Sequence, residues 1–311
     1  MELAQIEDGV AKGNAPDALP SVCVIVTAPH GLGDMDRILG ALGPQWRGGD
    51  HLVVLDGART HDPVGLSDIP GGLRADHVRR PGASAFHLRA QVPAFADCDI
   101  AVLFEDHAIP GPRFIDEARR LFAADAELVA IKVLGRNDTS TSGWSWANFL
   151  MAFADGLHPA EAMPPTLLST SAVIRRSVLP NGPLPLGAWE TTLLPSLNLG
   201  EAGLTSSNYV YIDHIDPCDM RAALAGNFNN QRALAAIRVA NGHRRGKLTA
   251  RAIKDLGIRR HREIARALAG REEFRHAVEN RYKLMLIGWA SAFGAIIGAY
   301  FGLGGALDDM H

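Results

Sequence analysis

The run Ile100-Ala101-Val102-Leu103-Phe104 is apolar without interruption, ends at Glu105-Asp106-His107, and is followed by the breaker-rich Ala108-Ile109-Pro110-Gly111-Pro112. A segment this short and this evenly apolar, bounded by turn residues, fits a strand buried on both faces, as in a parallel sheet covered by helices. Open α/β sheets bind ligands at the carboxyl ends of such strands, so two carboxylates and an imidazole stand where a ligand is expected. Oxygen-rich groups there suit a hard divalent cation and the phosphates it holds.

Other segments repeat the alternation. Ser21 to Thr27 (SVCVIVT) predicts a strand, and Met35, Ile38, Leu39 and Leu42 mark one face of a helix over Met35 to Leu42. His51 to Leu55 predicts a second strand ending at Asp56-Gly57, and Asp76 to Arg79 a third. A helix is expected from Ser84 to Phe95 with its end disturbed by Pro93, then a helix over Arg113 to Ala124 and a strand over Leu128 to Leu134. Further on, Ala147 to Phe153 and Gly187 to Leu199 read as helices, and Ser169 to Ile174 and Tyr209 to Ile212 as strands. The fold class is therefore α/β, Rossmann-like, with a mostly parallel sheet and helices on both faces. Trp144 and Trp146, if extended, point to opposite faces. Gly31-Leu32-Gly33 is no dinucleotide fingerprint, because the pattern fails at Asp36.

The net charge of -3 over 311 residues argues against nucleic acid as the main partner. The charge is unevenly spread: Arg244 to Lys283 holds thirteen Lys/Arg against five Asp/Glu. Cys23, Cys98 and Cys218 show neither CxxC spacing nor a disulfide framework, which fits a reducing compartment, with Cys23 in the core. Met1 to Pro20 carries Glu2, Glu7 and Asp8 without a basic and then apolar leader pattern, so no secretory signal is read and a cytoplasmic catalytic part is expected.

Leu284 to Leu307 is a run of twenty-four residues without a charge. It is long enough to cross a hydrocarbon core of about 30 Å. Gly294, Gly298 and Gly302 fall four apart and form a smooth stripe on one helical face, which favours close helix packing in a bilayer. The basic segment before it suits anionic cytoplasmic headgroups. The readings are membrane contact, spanning or interfacial, or a terminal helix or hairpin packed on the body.

Taken in order, the motifs resemble an inverting glycosyltransferase of family 2. Ser21 to His30 (SVCVIVTAPH) is similar to that family's opening strand and loop, and Val53 to Ala58 (VVLDGA) to the strand whose acidic end meets the nucleotide base. Arg80 to Arg89 resembles the glycine-containing segment with a downstream arginine, and Leu103 to Pro112 (LFEDHAIPGP) the metal-binding DXD region in an EDH form. Ser169 to Arg176 (STSAVIRR), Gly187 to Leu197 (GAWETTLLPSL) and Tyr211 to His214 resemble the strand after the acceptor loop, the segment holding the catalytic base, and the late histidine. The resemblance implies a GT-A catalytic domain over residues 21–215. A flexible leader at 1–20, a basic helical extension at 216–283 and an apolar membrane-associated helix or hairpin at 284–307 complete the expected organisation.

The resemblance also implies roles. Thr27, Pro29, Asp56, Arg89, Glu105 and Asp106 would hold the donor, and Asp106, His107 and His214 a metal, Mn2+ or Mg2+, with the imidazole tilting preference toward Mn2+. Whether Asp106 or His107 is the direct ligand stays open. Glu190 would be the general base and Trp189 would stack on the acceptor. Each has a plainer reading: Asp56-Gly57 as a turn, Arg89 as an exposed helix arginine, Glu190 as a helix-start carboxylate, Trp189 as packing, and His214 as a polar strand terminus. The implied partners are a nucleotide-sugar donor, a UDP-sugar first among them, and a carbohydrate or lipid-linked acceptor. A membrane through the C-terminal segment and a homo-oligomer are also expected. This points to polysaccharide or glycolipid assembly at the cytoplasmic face of a membrane. The alternatives are nucleotidyl transfer on a related fold, or a tethered sugar-nucleotide-binding scaffold without turnover.

Overall fold

The computed structural model describes residues 19–60, 73–138, 142–158, 168, 170–197, 203–268 and 281–307. Almost all of the expected leader, Ser169 and the end of the helix expected over Gly187 to Leu199 lie outside the described residues. Its elements are β1 (Val22–Ala28), α1 (Met35–Leu42), β2 (His51–Asp56), β3 (Arg74–Arg79), α2 (Ala85–Phe95), β4 (Ile100–Glu105), β5 (Ala108–Pro110) and α3 (Phe114–Ala124). They continue with β6 (Ala130–Asn137), α4 (Gly143–Phe153), β7 (Ala172–Arg175), a π-type turn at Trp189–Leu193 leading into α5 (Leu194–Leu197), and β8 (Leu204–His214). The C-terminal part is helical: α6 (Met220–Ala240), α7 (Arg245–Arg251), a π-type stretch at Ala252–Arg260, α8 (His261–Ala267) and α9 (Arg281–Phe301).

One sheet runs in the order β3-β2-β1-β4-β7-β6-β8-β5. The β1–β2, β1–β4, β2–β3 and β6–β8 pairs are parallel, and β4–β7, β6–β7 and β5–β8 are antiparallel. The apolar runs are explained by two cores. Val22, Val24, Val26, Val102 and Phe104 face one core, together with α1, α3 and α4. Cys23, Ile25, Ala101 and Leu103 face the other, with Leu88 and Val92 of α2. Alternate side chains of one strand thus enter different cores, so no position tolerates a polar residue until the strand ends.

Three elements depart from the sequence reading. Ala108–Pro110, read as breakers, forms the edge strand β5 against the end of β8; Pro110 sits at the outer edge, where no further ladder bond is required of it. Trp144 and Trp146 are not extended but lie in the first turns of α4, whose N-terminal amides at Trp144 and Ser145 donate to the Ser142 hydroxyl. The final strand, expected as Tyr209 to Ile212, runs from Leu204 to His214.

Helix α9 packs on α6 of the same chain. A Cβ at Gly294 would come within 2.1 Å of the Phe228 carbonyl oxygen, and one at Gly298 within 2.0 Å of the Arg232 carbonyl oxygen. The glycine stripe therefore serves an intramolecular contact in which two helix backbones nearly touch. Gly302, at φ +76°, ends the helix in a conformation that L side chains rarely adopt. The helix is long and apolar enough to cross a membrane, with a mean hydropathy of 1.8, and half of its apolar window is buried against the body.

Because backbone atoms stand where a side chain would go, Gly298→Leu is expected to destabilise the protein by about 1–3 kcal/mol, as overpacking does. Gly40→Ala, at an exposed position of α1 with open space around its Cβ, is expected to stabilise by up to about 1 kcal/mol. Urea unfolding of both variants checks the pair; equal effects would contradict the packing account.

Candidate metal and nucleotide site

Strands β1 and β4 end side by side, with Thr27 paired to Glu105 and the Asp106 amide donating to the Thr27 carbonyl at 3.1 Å. The sheet edge reaches the same point from the other side. Ala108 of β5 pairs with His214 of β8, and the Ile215 amide donates to the His107 carbonyl at 3.0 Å. Residues more than a hundred positions apart are thereby fixed next to each other by backbone hydrogen bonds alone.

Glu105, His107 and His214 each offer one ligand atom, and these atoms lie within 4.8 Å of one another. His107 Nε2 is 3.7 Å and His214 Nε2 3.6 Å from Glu105 Oε2. Both imidazoles are held from behind: His107 Nδ1 lies 2.8 Å from Asp106 Oδ1, and His214 Nδ1 lies 2.8 Å from Asp216 Oδ2. A carboxylate on Nδ1 fixes ring and tautomer and leaves Nε2 as the donor atom, the arrangement in which histidines bind metals. One carboxylate oxygen and two imidazole nitrogens fit a Mn2+-class cation, with room for further oxygen ligands from a phosphate. Asp106 is placed to orient His107, and Glu105, rather than Asp106, lies with the two imidazoles where a cation could be held.

On its other side Glu105 Oε1 accepts from Arg89 Nη1 at 2.8 Å, and Arg89 Nε donates to Glu190 Oε1 at 2.5 Å. Arg89 is buried rather than an exposed helix arginine. Burial works against the Glu105 carboxylate, yet His214, His107 and Arg89 together hold it well below the usual carboxylate range. Burial likewise opposes the His214 imidazolium, but Asp216 and Glu105 outweigh it and raise its pKa to about 10. Burial pushes Glu190 up, against the pull of Arg89.

A cavity of about 500 Å³ opens over this cluster. Thr27, Pro29, Arg89, Glu105, Asp106, His107 and His214 line it as expected, joined by Asn148 of α4 and by Asn227 and Asn230 of α6. Asp216 was missed in the sequence, although the His214-Ile215-Asp216 spacing after a strand was a readable sign. It accepts from the Asn148 side-chain amide, which in turn is bonded to Asn227. The C-terminal extension is therefore a wall of the site.

Three expected residues are not at this cavity. The Trp189 ring is fully buried in the second core, so its faces are not open to an acceptor, and the packing reading holds. Glu190 stands behind Arg89, and its Oε2 is closed off from solvent without a hydrogen-bond partner. No acceptor hydroxyl reaches that oxygen in this geometry, and the Glu190 carboxylate is placed against Arg89 rather than toward the cavity. Asp56 ends β2 and folds back on its own turn, with Oδ1 accepting from the Ala58 amide at 2.8 Å and Oδ2 3.0 Å from His77 Nε2. Its neighbours Arg79, Arg80 and Gly82 line a separate open cleft of about 550 Å³.

The polypeptide path can be matched to solved structures. The chain is similar to a mannosyltransferase from Pyrobaculum calidifontis, solved in complex with GDP-Man and Mn2+, at 15% identity with a TM-score of 0.53, covering 88% of each chain. The chain has the GT-A fold. A glucosyl-3-phosphoglycerate synthase from Mycobacterium tuberculosis, solved with Mn2+, UDP and phosphoglyceric acid, is a looser likeness at 19% identity and a TM-score of 0.43, covering 64% of this chain and 72% of that one. No protein-family profile matches the sequence, and no curated protein matches it.

The His214 charge has a direct consequence. Its folded pKa, about 10, lies above the ordinary value of 6.5, so in the metal-free protein its ion pairs contribute their full stability below about pH 6.5. That contribution is lost as the pH rises towards 10. A metal must displace this proton, so Mn2+ affinity is expected to rise with pH, by up to about tenfold per unit for one proton released. Calorimetric titrations with Mn2+ at several pH values and in buffers of different ionisation enthalpy check both the slope and the proton count. A pH-independent affinity would contradict the assignment.

Proposed function

We propose that the protein is a glycosyltransferase that moves a sugar from a nucleoside-diphosphate donor to an acceptor hydroxyl, assisted by Mn2+ or Mg2+. The observation that carries this reading is the cluster of Glu105 with two imidazoles, each oriented by its own carboxylate, at the carboxyl ends of the sheet strands in an open cavity. The GT-A fold and the Mn2+ and GDP-Man of the Pyrobaculum calidifontis structure support it.

Glu105, His107 and His214 would hold the cation, which supplies Lewis-acid stabilisation of a departing diphosphate. Asp106 and Asp216 fix the two rings. Arg89 holds Glu105 in place and faces the cavity with its guanidinium, where it adds positive charge beside the diphosphate. Thr27 and Pro29 line the donor side, while Asn148, Asn227 and Asn230 offer amide groups suited to sugar or ribose hydroxyls. Inversion at the anomeric carbon is part of the proposal and rests on the family resemblance; the anomeric configuration of the product checks it. Metal-dependent turnover of UDP- or GDP-linked sugars tests the whole reading. Release of pyrophosphate from a nucleoside triphosphate would favour nucleotidyl transfer instead.

If Glu190 acts by holding Arg89, Glu190→Gln frees Arg89 to compete for Glu105 and weakens metal binding. The apparent Mn2+ affinity is expected to fall by about 10- to 100-fold, the usual effect of losing a group that supports a ligand, and excess Mn2+ should restore much of the turnover. A loss of turnover with Mn2+ affinity unchanged would return Glu190 to the role of base.

A membrane-bound setting at the cytoplasmic face, serving a lipid-linked acceptor, is also proposed. Its support is the solvent-facing side of α9, where Tyr282, Leu286, Phe293, Tyr300 and Phe301 are exposed, next to the basic residues of α7 and α8. Because the glycine face of α9 is already taken by α6, the helix would lie in the interface rather than cross it. Phe293→Ser with Phe301→Ser is expected to reduce cosedimentation with anionic phospholipid vesicles several-fold; unchanged binding would contradict it.

A further inference from the structure

A second cluster of ligating side chains lies at the opposite end of the sheet. Cys23 is at the start of β1 and Glu105's neighbour Thr27 at its end, about 13 Å apart along an extended strand. Cys23 Sγ, His51 Nδ1 and an Asp97 carboxylate oxygen lie within 4.8 Å of one another. The separations are 3.9 Å from Cys23 Sγ to His51 Nδ1 and 2.8 Å from that nitrogen to Asp97 Oδ1. A fourth donor, Cys98, places its Sγ 3.7 Å from the same Asp97 oxygen and 3.6 Å from the Gly49 carbonyl oxygen, to which it donates.

We propose that Cys23, His51, Asp97 and Cys98 form a structural zinc site that ties the starts of β1 and β2 to the turn between α2 and β4. Tetrahedral zinc, with bonds of about 2.3 Å to sulfur and about 2.0 Å to nitrogen or oxygen, has ligand–ligand edges of about 3.3–3.8 Å. The Cys23–His51 separation of 3.9 Å and the Cys98–Asp97 separation of 3.7 Å are close to these edges, and the His51–Asp97 pair has only to open by about half an ångström.

Two thiols, an imidazole and one carboxylate select zinc over the harder cation suited to the other cluster. The surroundings complete the arrangement. His51 Nε2 lies 2.9 Å from Asp76 Oδ2, so a carboxylate already orients the ring and presents Nδ1 to the cluster. Arg74 Nη1 donates to Asp97 Oδ2 at 2.5 Å, leaving Oδ1 turned inward. Cys23 and His51 are buried, whereas the Asp97 side chain is 41% exposed and Cys98 half-buried, which gives the ion a path from solvent. Binding releases both thiol protons and any proton on His51 Nδ1, and no electrons are exchanged.

The test uses the full chain, expressed with zinc and dialysed against a mild chelator that removes weakly held Mn2+. Elemental analysis is expected to find stoichiometric zinc. Replacement by Co2+ is expected to give the intense visible bands of a tetrahedral ion and a thiolate-to-cobalt charge-transfer band. Cys98→Ser should weaken zinc retention at least tenfold against a competing chelator and lose part of the charge-transfer intensity, with circular dichroism showing that it remains folded. Should that variant unfold, the wild-type Co2+ spectrum alone decides. Absence of zinc, a spectrum without thiolate bands, or a Cys23–Cys98 disulfide in the freshly isolated protein would overturn the proposal. None of these readouts depends on sugar transfer, so this result and the one for the proposed function stand or fall separately.

Discussion

A half-buried carboxylate at the end of a central strand is the constraint from which the site follows. Glu105 terminates β4, whose preceding residues, Ile100 to Phe104, are all buried. A charge there is tolerated only if other groups compensate its lost hydration. Arg89 does so from α2, His107 from the next turn and His214 from the far edge of the sheet. These partners are in turn held by Glu190, Asp106 and Asp216. The result is a chain of paired polar groups in which each member fixes the orientation of the next. A cation entering beside Glu105 would take over the role that the His214 proton plays in the metal-free protein.

This chain also explains why the C-terminal helices belong to the site. Asp216 is bonded to Asn148, and Asn148 to Asn227 on α6. Helix α6 is held down by α9 through Gly294 and Gly298, where the backbones meet without intervening side chains. Displacement of α9 would therefore be felt at His214 through packed helices and a short series of hydrogen bonds.

Much of this was legible in the sequence because strong local patterns were present. The continuous apolar strands, the acidic residues at their ends and the helical spacing of α1 and α3 gave the α/β class, and the family resemblance pointed to seven residues that line the cavity, Thr27, Pro29, Arg89, Glu105, Asp106, His107 and His214. What was not legible depended on long-range pairing. Ala108-Ile109-Pro110 looks like a breaker until β8 arrives to pair with it, and only then does His214 come beside Glu105. Trp189 and Glu190 looked accessible because a helix start is often a surface feature, yet the π-type turn lies under α2 and directs the ring into the core. The glycine stripe had the right physical meaning, close helix approach, with its partner inside the chain. Cys23, His51 and Cys98 are too far apart in sequence for any ligand spacing to show.

The central claim is that Glu105, His107 and His214 together form one cation centre. Pulsed electron paramagnetic resonance of the Mn2+-loaded protein tests it directly, because imidazole nitrogens bound to Mn2+ modulate the electron spin echo. The account predicts nitrogen modulation from two imidazoles in the wild type, reduced to one in His107→Ala. A bound-Mn2+ spectrum free of nitrogen modulation, or one unchanged by His107→Ala, would contradict it.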